Sequence, residues 1–292
     1  MKPVSFKYLK PTGLEEATAI LAEYGAEARI LAGGQSMMPM LNMRIARPSV
    51  LVDINEIVEL NYIRASDGAV AIGAVTRQRR LGDDDLIAAQ VPVLATALKC
   101  MSHPQIQNRG TIVGSICHGD PAAELPAVAI ALGAEVTAHS QAGARTIPVA
   151  DLYRGYYRTT LEPNELVSEV KFPAMPPGCG WSVVEISRRH GDLALAGVVT
   201  MIVLDGKEIG QARLACFGLG KAAHRLVEAE SMLTGQLASG DLFQEVASIV
   251  SSSVKPMDDS HASAEYRRAL AAELTQRSLS EAIERAKQGA TS

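Results

Sequence analysis

The chain is short of several things, and each absence excludes something. Its four cysteines, Cys100, Cys117, Cys179 and Cys216, never fall in a C-x-x-C pair, and their wide spacing matches neither a zinc nor an iron–sulfur pattern. Scattered reduced thiols of this kind suit a cytoplasmic protein. If the chain handles electrons, it offers no metal cluster of its own to carry them. No apolar run is long enough to cross a bilayer. The opening MKPVSFKYLKP lacks an apolar segment followed by small residues, so no secretory leader is expected. Charge of either sign is in short surplus: the net is −4, which argues against nucleic acid as the main partner. Internal repeats and low-complexity tracts are absent as well.

What is present is a core-forming composition, 47% hydrophobic and 21% charged over 292 residues, enough for one large domain or two ordinary ones. Thr12-Gly-Leu-Glu15 reads as a capping box, with Leu14, Ala17, Leu21 and Tyr24 at helical spacing and Gly25 as the stop. Strands are expected at 28–31, 49–54, 69–75, 134–138 and 165–172, and helices at 83–90, 92–101 and through an alanine-rich stretch to Leu132. HPQIQNRG reads as a polar loop. The prolines and glycines of 173–180 mark a domain boundary. Beyond it, strands at 181–188, 194–204 and 208–217, the last two joined at Asp205-Gly206, precede helices near 225–233, 241–251 and 263–286. Strands followed by helices predict an antiparallel sheet with helices on one face.

Two stretches carry the chemistry. In LAGGQSMMPM, residues 31–40, a strand runs into Gly33-Gly34-Gln35-Ser36. Glycine permits positive φ and close approach of a ligand, and successive N–H groups in such a turn form a concave anion site suited to phosphate or pyrophosphate. Neither G-x-G-x-x-G nor Gly-Lys-Ser/Thr is there, so this is neither the Rossmann fingerprint nor a P-loop. In TIVGSICHGDPAAELP, Thr111, Gly114 and Ser115 repeat that chemistry, and His118, Asp120 and Glu124 follow. Two such loops could clamp a dinucleotide pyrophosphate from both sides, with the carboxylates accepting bonds from ribose or adenine.

Together AGGQS and TIVGS-x-x-H-x-DPAAELP, with FKYLKPTGLEEA, SRRHGDLALAG and SAEYRRALAAELTQRSL, resemble the FAD-binding medium subunits of molybdenum hydroxylases, the xanthine dehydrogenase and carbon monoxide dehydrogenase flavoprotein family. The resemblance covers nearly the whole chain. It implies an α+β protein: a two-part FAD-binding domain of the p-cresol-methylhydroxylase type at 1–176, with subdomains about 1–56 and 57–176, then a smaller C-terminal α+β domain at 177–292 built on a three-stranded antiparallel sheet with helices. It implies that Leu31, Ala32, Gly33, Gly34, Gln35 and Ser36 hold the pyrophosphate of FAD, closed on by Thr111, Gly114 and Ser115. His118, Asp120, Glu124 and Leu166 then line the cofactor, and Leu193 covers the isoalloxazine ring. Asp192 either fixes the turn before Leu193 or lies near the flavin.

Three departures from the family pattern stand out. Val113 and Ser115 occupy places usually held by Gly and by Asn or Asp, and an extended backbone is expected at Val113. Glu124 replaces a shorter Asp, and Leu193 replaces what is often an aromatic residue. The family resemblance further implies a large molybdopterin chain, a small chain with two [2Fe–2S] clusters, a dimer of heterotrimers, and electron transfer through this flavin to an external acceptor. The rival readings are a self-sufficient flavin-dependent reductase of the same fold and a non-catalytic nucleotide-sensing module. Met37, Met38, Met40 and Met43 read as core filler or as a soft wall for the flavin. Arg77, Arg79 and Arg80 read as a solvated face.

Overall fold

The computed structural model describes residues 1–289. Three sheets follow one another along the chain. The first contains β1 (Lys7–Leu9), β2 (Ala28–Leu31) and β3 (Val50–Asp53) in the order β1-β3-β2, all parallel. Parallel neighbours require a crossover, and α1 (Leu14–Tyr24) supplies the one between β1 and β2, burying Ala17, Thr18 and Leu21. Its start differs from the expected box. The helix begins one residue later than the box requires, with Gly13 as its cap, so the carboxylate that reaches back is Glu16: it accepts the Thr12 N–H at 2.8 Å. Beyond β2, the short α2 (Met37–Asn42) carries the methionines.

The second sheet holds β4 (Ile63–Ser66), β5 (Ala69–Gly73), β6 (Glu135–Ser140), β7 (Gly143–Pro148) and β10 (Leu166–Pro173), in the order β4-β5-β10-β6-β7 with antiparallel pairing. A small hairpin of β8 (Tyr153–Gly155) and β9 (Arg158–Thr159) stands apart from it. Between β5 and β6 run α3 (Asp85–Gln90), α4 (Pro92–Cys100), α5 (Pro104–Gln107), α6 (Ile112–His118) and α7 (Glu124–Leu132). The expected polar loop at HPQIQNRG is therefore interrupted by a single helical turn, opened by Pro104 at a position where its missing N–H costs nothing. In α7 every residue from Leu125 to Leu132 is buried. A helix apolar on all sides belongs inside a core, and α7 lies between α4 and α6 on one side and the third sheet on the other.

The third sheet comprises β11 (Gly180–Ser187), β12 (Ala194–Asp205), β13 (Glu208–Phe217) and the two-residue β14 (His224–Arg225), in that order and antiparallel. The three long strands are those expected; His224–Arg225 adds a fourth too short for any pattern to reveal. Then follow α8 (Val227–Leu233), α9 (Gly240–Ser253) and α10 (Ala264–Gly289). The last packs along β11 and β12, so closely that a Cβ on Gly180 would meet the Ala282 carbonyl at 1.9 Å. Arg285 adds a cation–π contact, 5.5 Å from the Trp181 ring centroid, and donates to the Trp181 carbonyl.

Replacing Gly180 by Val should cost about 3 kcal/mol by forcing α10 off the sheet. Gly240→Ala, with nothing within 4 Å of its new methyl group, should stay within about 0.5 kcal/mol of the parent. Urea unfolding midpoints check both.

Candidate functional site

The strand β2 delivers its chain to Ala32 at the carboxyl edge of a parallel sheet, a place where open sheets commonly present ligands. Gly33 is buried there because it has no room to be anything else: a Cβ would sit 2.3 Å from the Arg109 carbonyl oxygen and 2.7 Å from Gly110 Cα. Two distant segments thus touch backbone to backbone. Gly34 has φ +75°, which a side chain would strain, and its carbonyl accepts the Met38 N–H at 3.0 Å. Among the described residues, the N–H groups of Gly34, Gln35 and Ser36 find no acceptor in the chain. Carbonyls on the two segments are held from behind. Asn55 Nδ2 donates to the Ala32 carbonyl at 2.8 Å, and Arg77 donates to Asn55 Oδ1 at 2.6 Å and to the Arg109 carbonyl at 2.7 Å.

The second segment is not the loop expected. Ile112–His118 is helical, and Val113, expected to be extended, lies inside its first turn, 3% exposed. Thr111 is the cap. Its hydroxyl accepts the Gly114 N–H at 3.1 Å, so a Cβ on Gly114 would fall 2.5 Å from that oxygen. The Ser115 N–H bonds the Thr111 carbonyl and the Ile112 N–H bonds the Thr76 carbonyl. Most amides of this turn are therefore already used. What it offers is side-chain hydroxyls, whereas the first turn offers bare N–H groups.

These two segments, with α7 and the turn between β11 and β12, enclose a cavity of about 610 Å³. Every residue that the family resemblance assigns to the cofactor lines it except Leu31. Leu31 is still part of the β2 ladder: its carbonyl accepts the Ile54 N–H at 3.0 Å and its side chain packs beneath Gly34. Leu166 reaches the wall from the first residue of β10. Asp192 fixes its own turn, accepting the Leu193 N–H at 3.0 Å and pairing with Arg188 at 3.6 Å. Leu193 is left 61% exposed at the rim.

Of the four methionines read as core filler or a soft wall, Met37 and Met40 line the cavity, whereas Met38 and Met43 do not and are exposed. Met101 and Ile106, which carried no local signal, line it as well. Tyr157 does too, with φ +54°, an outlier for a bulky residue, and its ring lies 5.1 Å from that of His118. Asn55 and Arg77 stand behind the wall, and sequence spacing alone had put Arg77 on a solvated face.

Three ionisable groups in and around this cavity, Glu124, Glu185 and His118, are displaced toward neutrality, whereas the hydrogen bond from Arg145 holds the Glu165 carboxyl on its wall below the ordinary carboxylate value. Burial pushes the Glu124 carboxyl up to about 7, with Asp120 adding to it. Burial and the nearby Glu124 push Glu185, on β11, up to about 8, and its Oε2 is buried with no hydrogen bond among the described residues. Burial holds His118 below its ordinary value, against the pull of Asp120. In the described residues no cluster of three or more His, Cys, Asp or Glu could hold a metal ion.

Comparison with known proteins agrees with this geometry. Residues 4–175 match the family described as FAD binding domain in molybdopterin dehydrogenase, and residues 181–282 match the CO dehydrogenase flavoprotein C-terminal domain. The 6-hydroxypseudooxynicotine dehydrogenase complex subunit alpha of Paenarthrobacter nicotinovorans is 42% identical, over 98% of this chain and 97% of its own. The carbon monoxide dehydrogenase medium chain of Hydrogenophaga pseudoflava is 36% identical, over 97% of this chain and 98% of its own. A solved structure of the carbon monoxide dehydrogenase of that organism, lacking the Mo-pyranopterin moiety of the molybdenum cofactor, superposes with a TM-score of 0.96 at 36% identity, covering 98% of this chain and 99% of that one. A two-part FAD-binding domain with this C-terminal domain behind it defines an oxidoreductase flavoprotein. The chain belongs to the FAD-binding, or medium-chain, family of molybdopterin-dependent dehydrogenases and hydroxylases.

The carboxyls give a pH dependence with a definite sign. Glu124 and Glu185 have folded values above the ordinary carboxylate value, so the folded chain holds protons that the unfolded chain has released. Their contribution is complete below about 4.5 and is lost as pH rises through about 7 and about 8. His118 acts in the opposite sense below its unfolded value, so the contrast between parent and variant is what isolates the carboxyls. Urea midpoints of the flavin-free chain between pH 5 and pH 8 should fall more steeply for the parent than for Glu124→Gln/Glu185→Gln.

Proposed function

We propose that this chain carries the FAD of a molybdenum hydroxylase complex and passes electrons from the [2Fe–2S] clusters of a partner subunit to an external acceptor. The observation that carries this reading is the naked turn at Gly33–Ser36, wedged against Arg109–Gly110, with unaccepted N–H groups beside a cavity of about 610 Å³. The residues fit that cofactor. A doubly charged diphosphate needs amide donors at close range and no side chain in the way, and Gly33 and Gly34 meet both needs.

In this reading Ala32 to Ser36 hold the diphosphate through backbone N–H groups, and the Thr111 and Ser115 hydroxyls face it from the cap of α6. Ser115 is short, so its hydroxyl bonds the ligand through water. His118, Asp120, Glu124 and Leu166 line the rest of the dinucleotide. Glu124, held near neutrality by burial, gives or accepts a hydrogen bond with little cost in charge. Leu193 covers the ring by packing alone, and Asp192 holds the turn that presents it. Bound there, a flavin would supply the capacity to exchange electrons singly, as [2Fe–2S] clusters deliver them, or in pairs, which is chemistry no side chain here supplies. The protein's part is to bind, orient and tune.

The flavin-binding unit spans residues 1–176, as subdomains of about 1–56 and 57–176, and 177–292 form the C-terminal unit. The partners are a large molybdopterin chain and a small chain with two [2Fe–2S] clusters, assembled as a dimer of heterotrimers in the cytoplasm. Support comes from the relatives, named as a medium chain and as a subunit of a dehydrogenase complex.

Two measurements test this. Purified from its native source, the chain should bring both partners and about one FAD with it; recovery alone, with independent NAD(P)H-dependent turnover, would favour the self-sufficient reductase. Gly33→Ala should push the two segments apart and weaken FAD binding by at least about 100-fold, on the scale of a close backbone approach lost. Flavin released from the boiled protein checks it, and full stoichiometry in a folded Gly33→Ala chain overturns the assignment of the turn.

A further inference from the structure

A second cavity, of about 590 Å³, opens beside the first. Arg29, Ile30, Cys117 and Leu161 line both, so the two share one wall. Three guanidinium groups converge on the outer cavity: Arg29 from β2, Arg154 from β8 and Arg158 from β9. Glu162 is the one carboxylate among its lining residues. Arg29 is braced, donating to the carbonyls of Ala26 and Ala28 at 2.9 and 2.8 Å. Arg154 and Arg158 are exposed, and among the described residues neither side chain has an ion-pair or hydrogen-bond partner. Arg145, from the neighbouring β7, is by contrast occupied by Glu165 at 2.6 Å.

Exposed charges of this sort hold a ligand weakly, because water and salt screen them. Their effect is on encounter. The chain carries a net charge of −4, so at long range it repels a dianion. A local cluster of positive charge at the entrance of a cleft reverses that field where it matters. We propose that Arg29, Arg154 and Arg158 form an electrostatic portal that draws the diphosphate of a flavin dinucleotide through the outer cavity toward the turn at Gly33–Ser36. This rests on the flavin reading above and adds to it an entry route and the groups that serve it. Arg154 and Arg158 act before binding is complete, whereas the glycine amides act after.

The full chain, stripped of flavin, is mixed rapidly with FAD at low and at raised salt, and quenching of flavin fluorescence is followed. In the parent, association should slow as salt rises. In Arg154→Gln/Arg158→Gln it should be about 10-fold slower at low salt and nearly independent of salt. The rate of dissociation and the saturating stoichiometry should be those of the parent, and the stoichiometry also reports that the variant is folded. Arg154→Lys/Arg158→Lys, which keeps the charge, should associate at close to the parent rate. A parent rate indifferent to salt overturns the portal without any variant. So do equal rates in parent and glutamine variant, a lysine variant as slow as the glutamine one, or a change confined to dissociation; each leaves the cavity assignment standing. Failure of the unaltered full chain to take up FAD overturns the flavin reading, and the portal with it.

Discussion

The architecture of the site depends on one contact, the seating of Gly33 on the Arg109–Gly110 backbone. Segments more than seventy residues apart meet there with no side chain between them. Such a meeting ordinarily places carbonyl dipoles against one another at a cost. Here the carbonyls of Ala32 and Arg109 are both claimed from behind, the first by Asn55 and the second by Arg77, and Arg77 also bonds Asn55. One guanidinium and one amide therefore join the parallel sheet to the helical segment between β5 and β6. Among the described residues the amides of Gly34, Gln35 and Ser36 have no internal acceptor. The steric condition at Gly33 and the hydrogen-bonding condition at Asn55 are two halves of the same arrangement: one brings the segments together, the other claims a carbonyl at the contact.

The second determinant is α7. Its first residue, Glu124, faces the cavity, and the rest of it is buried among α4, α6 and the C-terminal sheet. Just before it, the Pro121 carbonyl accepts the Gly218 N–H at 2.6 Å. The C-terminal domain is thereby fixed to the segment that closes the cavity, and it returns the Asp192–Leu193 turn to the rim. Gly191 of that turn rests on His103, whose ring atoms lie 3.1 Å from where a Cβ would stand. The wall is thus made by three sheets' worth of chain, and the C-terminal domain is part of it.

Much of this was legible in the sequence, and the unread parts have physical reasons. AGGQS gained its meaning only beside TIVGS and the longer resemblance, since a glycine turn after a strand is commonplace by itself. Long strands such as 194–205 declared themselves by apolar runs. β1, β4, β7 and the β8–β9 hairpin did not, because each is short and carries charged or polar residues, and its pairing is set by partners remote in sequence. The helix at Ile112–His118 was hidden by Gly114 and Ser115, poor helix formers that tertiary context overrides. Asn55 and Arg77 gave no signal at all, since their role exists only once Ala32 and Arg109 are side by side.

The helical state of 112–118 also changes the meaning of the chain's departures from its family. An extended Val113 would have left a stiff, apolar residue on the cofactor side of a loop. In the first turn of a helix it points into the core instead, 3% exposed, and its branched side chain costs little there. Ser115 has its N–H consumed by Thr111, so only its hydroxyl is left to face the cavity. The two segments therefore divide the work by chemistry. The strand end provides amide dipoles, which fix charge and cannot titrate. The helix cap provides hydroxyls, which adapt their direction to whatever the amides hold. Beyond them Glu124 and His118, two of the titratable groups on the wall, are displaced by burial toward their uncharged forms. In the proposed placement a diphosphate meets fixed dipoles and hydroxyls first, while the Asp120, Glu165 and Asp192 carboxylates also stand on the wall, and the arginines proposed to draw it in lie in the neighbouring cavity.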